Sequence, residues 1–301
     1  MPADRMVGRS RVLGVASLGG LLLGLVVLGF PLWIAFVAAS HDAARVNTVP
    51  PPLWPGDMLF ANLASAWTRV ALGTQLLNTT IMALGVAFGK VAMSVTTAFA
   101  LVYFRVRFRG LIFAIVLGAI LLPVEIRIVP TYLVAADLAA PLRELAQWLP
   151  WLPVPEAKLS LLNTHAGLIV PLLASTTATF LFRQFFLTMP EELTEAALID
   201  GAGPWRFFWS ILLPLSATNI AALLVVMFIF GWNQYLWPLL VTTDPGMQTL
   251  VMGLAKLGPS MDSRPMWNEM MAGALVALLP PMLVVLVLQR WFVRGLIDAG
   301  K

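Results

Sequence analysis

Six stretches of this chain, at about 12–38, 71–104, 110–130, 162–187, 211–240 and 269–292, are each apolar for twenty residues or more. That is about the length an α-helix needs to cross the hydrocarbon layer of a bilayer. The pattern predicts an all-α polytopic membrane protein with six transmembrane helices. Composition agrees, because 59% of the 301 residues are hydrophobic and 11% charged, whereas soluble domains carry about a quarter charged residues. The first stretch has a basic start and the small residues Ala38-Ala39-Ser40 at its end. Its apolar run exceeds the roughly 7–15 residues of a cleaved signal, so it reads as a retained anchor.

The cations lie at the ends of the spans rather than along one face. Arg5, Arg9 and Arg11, then Arg105, Arg107 and Arg109, then Arg183 and Arg206, and finally Arg290, Arg294 and Lys301 all fall on one side of a six-span topology. Arg45, Arg69, Arg143, Lys158, Lys256 and Arg264 are spread thinly over the longer opposite loops. The excess of basic residues on cytoplasmic loops then puts both termini in the cytoplasm. It also accounts for the net charge of +4 without nucleic acid as a partner. With no cysteine in the chain, there is no disulfide framework and no thiolate chemistry.

Between the fourth and fifth spans lies Pro190-Glu191-Glu192, then Glu195-Ala196-Ala197, Asp200-Gly201, Pro204, Ile211 and Leu213-Pro214. Pro190 suits the first position of a helix, and Glu191 and Glu192 place negative charge at its positive end. Gly201 reaches the left-handed cap conformation at little steric cost and ends that helix. Pro204 opens a second helix whose Trp205, Phe208, Ile211 and Leu212 recur at helical spacing on one apolar face. The result is a compact helix-turn-helix facing the cytoplasm, in which small Ala196 and Ala197 admit a partner's surface and Glu195 offers it a carboxylate. The bland alternative is an ordinary amphipathic loop.

Polar groups inside spans are costly, about 2.5–3.5 kcal/mol for a charge at a helix centre. In the third span Glu125 and Arg127 sit between Pro123 and Pro130, which favour a kink lined by water. Lys90 follows Gly89 in the second span, and Asn78 lies earlier in it. In the fifth span Trp232, Asn233, Gln234, Tyr235 and Trp237 interrupt an aliphatic helix. Amides and aromatic faces suit a polyol, while the rings alone equally suit an interfacial belt. These residues are candidates for a translocation pathway; for Glu125 and Arg127 the alternatives are structural hydrogen bonding to neighbouring helices, or a span that ends earlier and leaves both near the surface. Leu138, Leu142, Leu145 and Trp148 suit a short helix on the membrane surface. His41 and His165 lack metal-ligand partners at suitable spacing and are read as structural, so no metal site is expected. No phosphate loop, HExxH or GxSxG motif is present, so the chain is read as non-catalytic.

The spacing Glu-Ala-Ala, three residues, Gly, nine residues, Ile-x-Leu-Pro, running ungapped from Glu195 to Pro214, resembles the loop by which permeases of bacterial ABC importers dock on their ATPases. Leu122 to Arg127, Ala178 to Phe186, Gly231 to Leu239 and the ending Gln289 to Leu296 are similar to the permeases of the carbohydrate-uptake group, and within it to those of sn-glycerol-3-phosphate importers. The likeness runs from about residue 74 onward.

It implies a type I ABC importer permease fold in a bacterial cytoplasmic membrane. An N-terminal anchor span with an external loop is expected over 1–69, a core permease domain over 70–301, and coupling helices over about 190–213. The implied partners are a second, different permease, an ATPase dimer, an extracytoplasmic solute-binding protein and the lipid bilayer. ATP and Mg2+ belong to the ATPase, and this chain binds no cofactor itself. The implied solutes are sn-glycerol 3-phosphate or glycerophosphodiesters such as glycerophosphocholine. Gln234 stands where sugar permeases often carry Glu, and loss of that acid suits an anion, as do Lys90 and Arg127. A permease for a neutral sugar or oligosaccharide of maltose type is the nearer alternative, and a membrane-embedded enzyme or passive channel the farther one.

Overall fold

The computed structural model describes residues 11–104, 107–118, 124–151, 153–154, 157–259 and 265–298. Regular structure among them is helical throughout, and a helix pairs its own backbone polar groups where lipid offers them no partner. Helix α1 covers Arg11–Ala39, α2 Leu59–Arg69, α3 Leu72–Tyr103, α4 Arg109–Gly118, α5 Val124–Ala136 and α6 Ala140–Trp148. Then follow α7 at His165–Ile169, α8 at Thr176–Leu187, α9 at Glu191–Ile199, α10 at Pro204–Phe207, α11 at Ala217–Trp232, α12 at Leu236–Val241, α13 at Leu250–Ala255 and α14 at Trp267–Asp298.

Three of these helices are long and apolar enough to cross a membrane by themselves, within α1, α3 and α14. Two further spans arise if bent pairs are counted, His165–Leu172 with Thr176–Leu187 at 50° and Pro204–Leu215 with Ala217–Trp232 at 73°. The expected third span is described as two shorter apolar helices, α4 and α5, and residues 119–123 lie outside the described residues.

The expected fifth span, 211–240, is corrected most. Its straight part is α11, and the helix stops at Trp232 before α12 resumes at Leu236. Pro238 explains the break. It has no N–H to give to the carbonyl of Gln234, four residues back, and its ring crowds that carbonyl. The chain therefore ends α11 with local bonds from Asn233 N to Ile229 O at 3.1 Å and from Gln234 N to Gly231 O at 3.4 Å.

The chain forms two compact units. One comprises the residues up to Val70 together with Leu254–Val276, the other Ala71–Gly253 together with Ala277–Lys301. Leu254–Val276 thus belongs with the first unit. Glu269 explains why: its carboxylate accepts from Ser65 Oγ at 2.7 Å and pairs with Arg69 Nε at 2.8 Å. Beside it Asn268 Nδ2 donates to Asn62 Oδ1 at 2.8 Å. Asn62 Nδ2 in turn donates to the carbonyls of Ala39 and His41, both at 2.7 Å, which satisfies orphan acceptors at the end of α1. His41 has a structural role as expected, its Nε2 lying 2.9 Å from Trp54 O.

In the second unit α3 is the central post. Its 32 residues give a length of about 48 Å at 1.5 Å per residue. Helices α8 and α11 pack along it. Close approach is possible because small residues stand at the crossings. A Cβ on Gly231 of α11 would lie 2.9 Å from Ala83 Cα of α3. On another side of α3, Cβ atoms on Gly85 and Gly89 would overlap Ile169 and Leu173. The core cluster, Met82, Val86, Ala135, Leu168, Trp237 and Val241, lies where α3, α5, α7 and α12 meet. Trp237 anchors it, donating Nε1–H to Gly167 O at 3.1 Å.

Helix α6 forms over the residues expected for a short amphipathic helix, with Leu142, Leu145 and Trp148 exposed. Its Arg143 pairs with Asp137 at the end of α5.

Replacing Gly231 by Leu is expected to cost about 1–3 kcal/mol by overpacking, lowering the midpoint of thermal unfolding in detergent followed by tryptophan fluorescence. Gly110→Leu, on α4 where no atom lies within 4 Å of the added Cβ, is the control expected to leave that midpoint in place.

Candidate functional site

Two places in the second unit gather the residues that sequence analysis singled out. One is the loop from Pro190 to Leu215. Glu191 and Glu192 occupy the first turn of α9, where they complement the positive helix end. Pro190 stands one position earlier than expected, at the N-cap rather than inside the helix. Gly201 has φ +68°. Its N–H meets Leu198 O at 3.1 Å, and the N–H of Ala202 meets Ala197 O at 2.8 Å. That pair of bonds is a Schellman closure, which requires a left-handed residue at the position Gly201 fills. The chain then turns and enters α10 at Pro204.

A π-helical turn, Phe208–Leu212, follows α10. It changes the expected single apolar face, since the wider turn rotates the side chains relative to α-helical spacing. Phe208 and Leu212 are buried, Ile211 is half-buried, and Trp205 is exposed at 65%. Inside the loop, Phe99 and Tyr103 of α3 meet Phe208 and Phe207 with ring centroids 4.8 and 5.2 Å apart. A cavity of about 200 Å3 remains beside them, lined also by Ala197 and Leu198.

Ala197 is therefore turned inward and 4% exposed, so of the two alanines only Ala196 is open to a partner. The outer surface carries Glu195, Ala196, Asp200 and Gly201, all exposed. Beside them Leu198, Ile199, Trp205 and Trp209 are 69%, 86%, 65% and 65% exposed. Pro214 is exposed and Leu213 half-buried. A short rigid helix pair that presents large apolar side chains around a carboxylate has the make-up of a contact surface.

The other place is a cavity of about 260 Å3 beside the core cluster, lined by Lys90, Arg127, Thr131, Phe230, Gln234 and Trp237 among others. Lys90 of α3, Arg127 of α5 and Gln234 of the break after α11 are thus brought together from places far apart in sequence. Lys90 is 6% exposed, and its Nζ lies 3.8 Å from the centroid of the Phe230 ring. Two guanidinium or ammonium groups border the cavity, and no carboxylate among the described residues lines it. Thr131 Oγ1 and Gln234 Nε2 each donate to the carbonyl four residues back, Arg127 O at 2.7 Å and Phe230 O at 3.2 Å. Thr131 Oγ1 and Gln234 Oε1 retain accepting capacity.

Other predicted pathway residues stand elsewhere. Asn78 is 4% exposed, and its Nδ2 donates to Gly246 O at 2.8 Å and Gln248 O at 3.1 Å while its Oδ1 lies 3.1 Å from His165 Nε2. It joins α3 to the turn before α13 and to α7, which also gives His165 its structural role. Trp232 is 3% exposed and stacks on Phe228 at 5.5 Å. Asn233 and Tyr235 are exposed at the break after α11. The Glu125 side chain lies outside the described residues. Phe230 and Thr131 were missed by sequence reading, although Thr131 stands four residues from Arg127 on the same face of α5 and Phe230 lies in the last turn of α11, just before Gln234.

Compared with known proteins, residues 12–298 match the profile of the family described as binding-protein-dependent transport system inner membrane component. A permease protein of the sn-glycerol-3-phosphate transport system, UgpE, from Yersinia pestis bv. Antiqua is 46% identical over 287 residues, 93% of this chain and 95% of that one. The protein of the same name from Pectobacterium atrosepticum is 45% identical over 302 residues, 98% of this chain and 100% of that one. That from Agrobacterium fabrum is 46% identical over 288 residues, 93% and 95% of the two chains. Among solved structures, a chain of a bacterial ABC transporter involved in import of the acidic polysaccharide alginate aligns with a TM-score of 0.74 at 20% identity, over 97% of this chain and 100% of that one. The fold is that of a type I ABC importer permease.

Gly201→Val should strain the left-handed cap by about 1–2 kcal/mol. The expected result is faster hydrogen exchange at the amides of Gly201 and Ala202, by about five- to thirty-fold, with α3 amides unchanged.

Proposed function

Because this chain belongs to the binding-protein-dependent transport system inner membrane component family, we propose that it is the permease subunit of an ATP-driven importer for sn-glycerol 3-phosphate or its diesters. The observation that carries the choice of solute is the cavity bordered by Lys90 and Arg127 with no carboxylate among the described lining residues. A cation buried as Lys90 is is costly without a counter-charge, and an anionic solute would supply one to it and to the exposed Arg127 beside it. The names of the UgpE relatives support the same solute.

The chain crosses the bacterial cytoplasmic membrane six times, α4 and α5 together forming the third span, with both termini in the cytoplasm. It forms half of the pathway, and a second, different permease forms the other half. A solute-binding protein delivers cargo from outside. Two ATPase subunits hold ATP and Mg2+ and seat the α9–α10 loop, with Glu195 toward a basic group, Ala196 and Gly201 at close approach, and Leu198, Ile199 and Trp205 as apolar contacts. This chain then contributes no catalytic group. It transmits the closing of the ATPases through the aromatic contacts of Phe207 and Phe208 with Tyr103 and Phe99 into α3, the helix that carries Lys90. Movement of whole helix groups about a central site is how such transporters alternate access.

The test is ATPase activity of the reconstituted complex with its binding protein, stimulated by sn-glycerol 3-phosphate, glycerophosphocholine or maltose. Stimulation by the phosphates and not by maltose is expected. Stimulation by maltose alone would overturn the solute assignment and leave the importer.

Glu195→Arg is expected to abolish substrate-stimulated hydrolysis and uptake while the complex still inserts in the membrane. Normal stimulation in that variant would show that the loop does not couple the two.

A further inference from the structure

We propose that Phe230 is the positioning residue that lets a buried lysine serve as an anion-binding group. Its ring face holds the Lys90 ammonium at the cavity in place of a carboxylate that would cancel its charge. This rests on the importer reading above.

The argument starts from what a lysine at 6% exposure requires. An ammonium removed from water has to find compensation or lose its proton. A carboxylate would compensate it, and would also cancel the charge an anionic solute needs. An aromatic face compensates it differently, through the negative quadrupole of the ring, and leaves the net charge in place. The structure supplies the second solution: Nζ stands 3.8 Å from the Phe230 centroid, within the roughly 6 Å at which such contacts act. The ring covers one side of the ammonium, whose three N–H groups cannot all point at it. Phe230 itself is 40% exposed and borders the same cavity as Arg127 and Thr131.

The site this builds is a two-cation clamp for a phosphate-bearing solute. Lys90 supplies a point charge held by the ring. Arg127 supplies a planar fork suited to paired phosphate oxygens. Thr131 Oγ1 and Gln234 Oε1, each with accepting capacity left, face the hydroxyl groups of the solute. A neutral polyol engages only that last pair.

The test is equilibrium binding of radiolabelled sn-glycerol 3-phosphate to the purified complex of this chain with its permease and ATPase partners, the solute-binding protein being left out. Phe230→Leu is expected to weaken binding by about five- to thirty-fold, which is a desolvated cation–π contact of about 1–2 kcal/mol converted at 1.4 kcal/mol per tenfold. Phe230→Trp, which offers a stronger face, should stay within about twofold of the native affinity or exceed it. In a Lys90→Met background Phe230→Leu should have no further effect, since the ring acts through the ammonium.

Unchanged affinity in Phe230→Leu, equal weakening by Leu and Trp, or the same loss with Met at position 90 would each overturn the proposal. If Phe230→Leu does not assemble, Phe230→Trp alone and in the Lys90→Met background decides it. A native complex whose ATPase responds to sn-glycerol 3-phosphate but which binds none in this assay overturns this inference alone. A native complex whose ATPase does not respond to sn-glycerol 3-phosphate overturns the solute assignment on which this inference rests.

Discussion

Helix α3 can hold a lysine inside the protein only because its neighbours come close enough to cover it. That closeness depends on the absence of side chains at a few crossings. Gly231 lies over Ala83, and Gly85 and Gly89 lie under Ile169 and Leu173. In lipid the packing of helices is not driven by an apolar solvent effect, since acyl chains are as apolar as leucine. Contact area and hydrogen bonds have to hold the bundle, and both require short distances. The Gly85–Gly89 pair places Lys90 one residue beyond such a crossing, and Gly231 sets Phe230 beside it. The cation and its ring are therefore products of the same packing that holds the unit together.

Breaks in the helices do the complementary work. An unbroken α11 would have carried Gln234 around with the helix. Pro238 withholds a backbone donor from the Gln234 carbonyl, so α11 ends and α12 restarts at Leu236. Trp237 is thereby freed to enter the core and donate to Gly167 O. Pro171 stands at a similar break between α7 and α8, in the 3-10 turn Val170–Leu172, and itself lines the cavity. Irregular backbone at membrane depth is tolerated where it borders a cavity, and here the breaks and the cavity coincide. At the other end of α3 the Schellman closure at Gly201 and the π-helical turn at Phe208–Leu212 sort the side chains of the loop. Ala197, Phe207 and Phe208 turn inward, and Leu198, Ile199, Trp205 and Trp209 remain outside.

Residues differ in how far sequence reading reached them. The loop was legible because its signals are local: acidic residues at a helix start, a glycine at a left-handed cap and a proline at the next helix start each act within a few positions. Lys90 and Arg127 were legible as exceptions, charges in apolar surroundings that call for a reason. Trp232 and Asn78 were not, because the same side chains suit a pathway or a packed interior, and only the position of Phe228, Gly246 and His165 decides between them. Phe230 escaped notice for the opposite reason. A phenylalanine in an apolar span carries no signal until a lysine 140 positions away is found over its face.

The sequence by itself determined that the chain is helical and membrane-embedded, that a capped helix pair projects between its fourth and fifth apolar stretches, and that a few charges stand where charges are costly. Each follows from composition or from spacing within a turn or two of helix, where the physics is local. Only the tertiary structure decided where the spans bend, that 254–276 belongs with the N-terminal unit, which face of the loop at 190–215 is exposed, and that Lys90, Arg127, Phe230 and Gln234 share one cavity. Those outcomes depend on which surfaces come within contact distance, and in a bundle that is set by steric fit between segments remote in sequence.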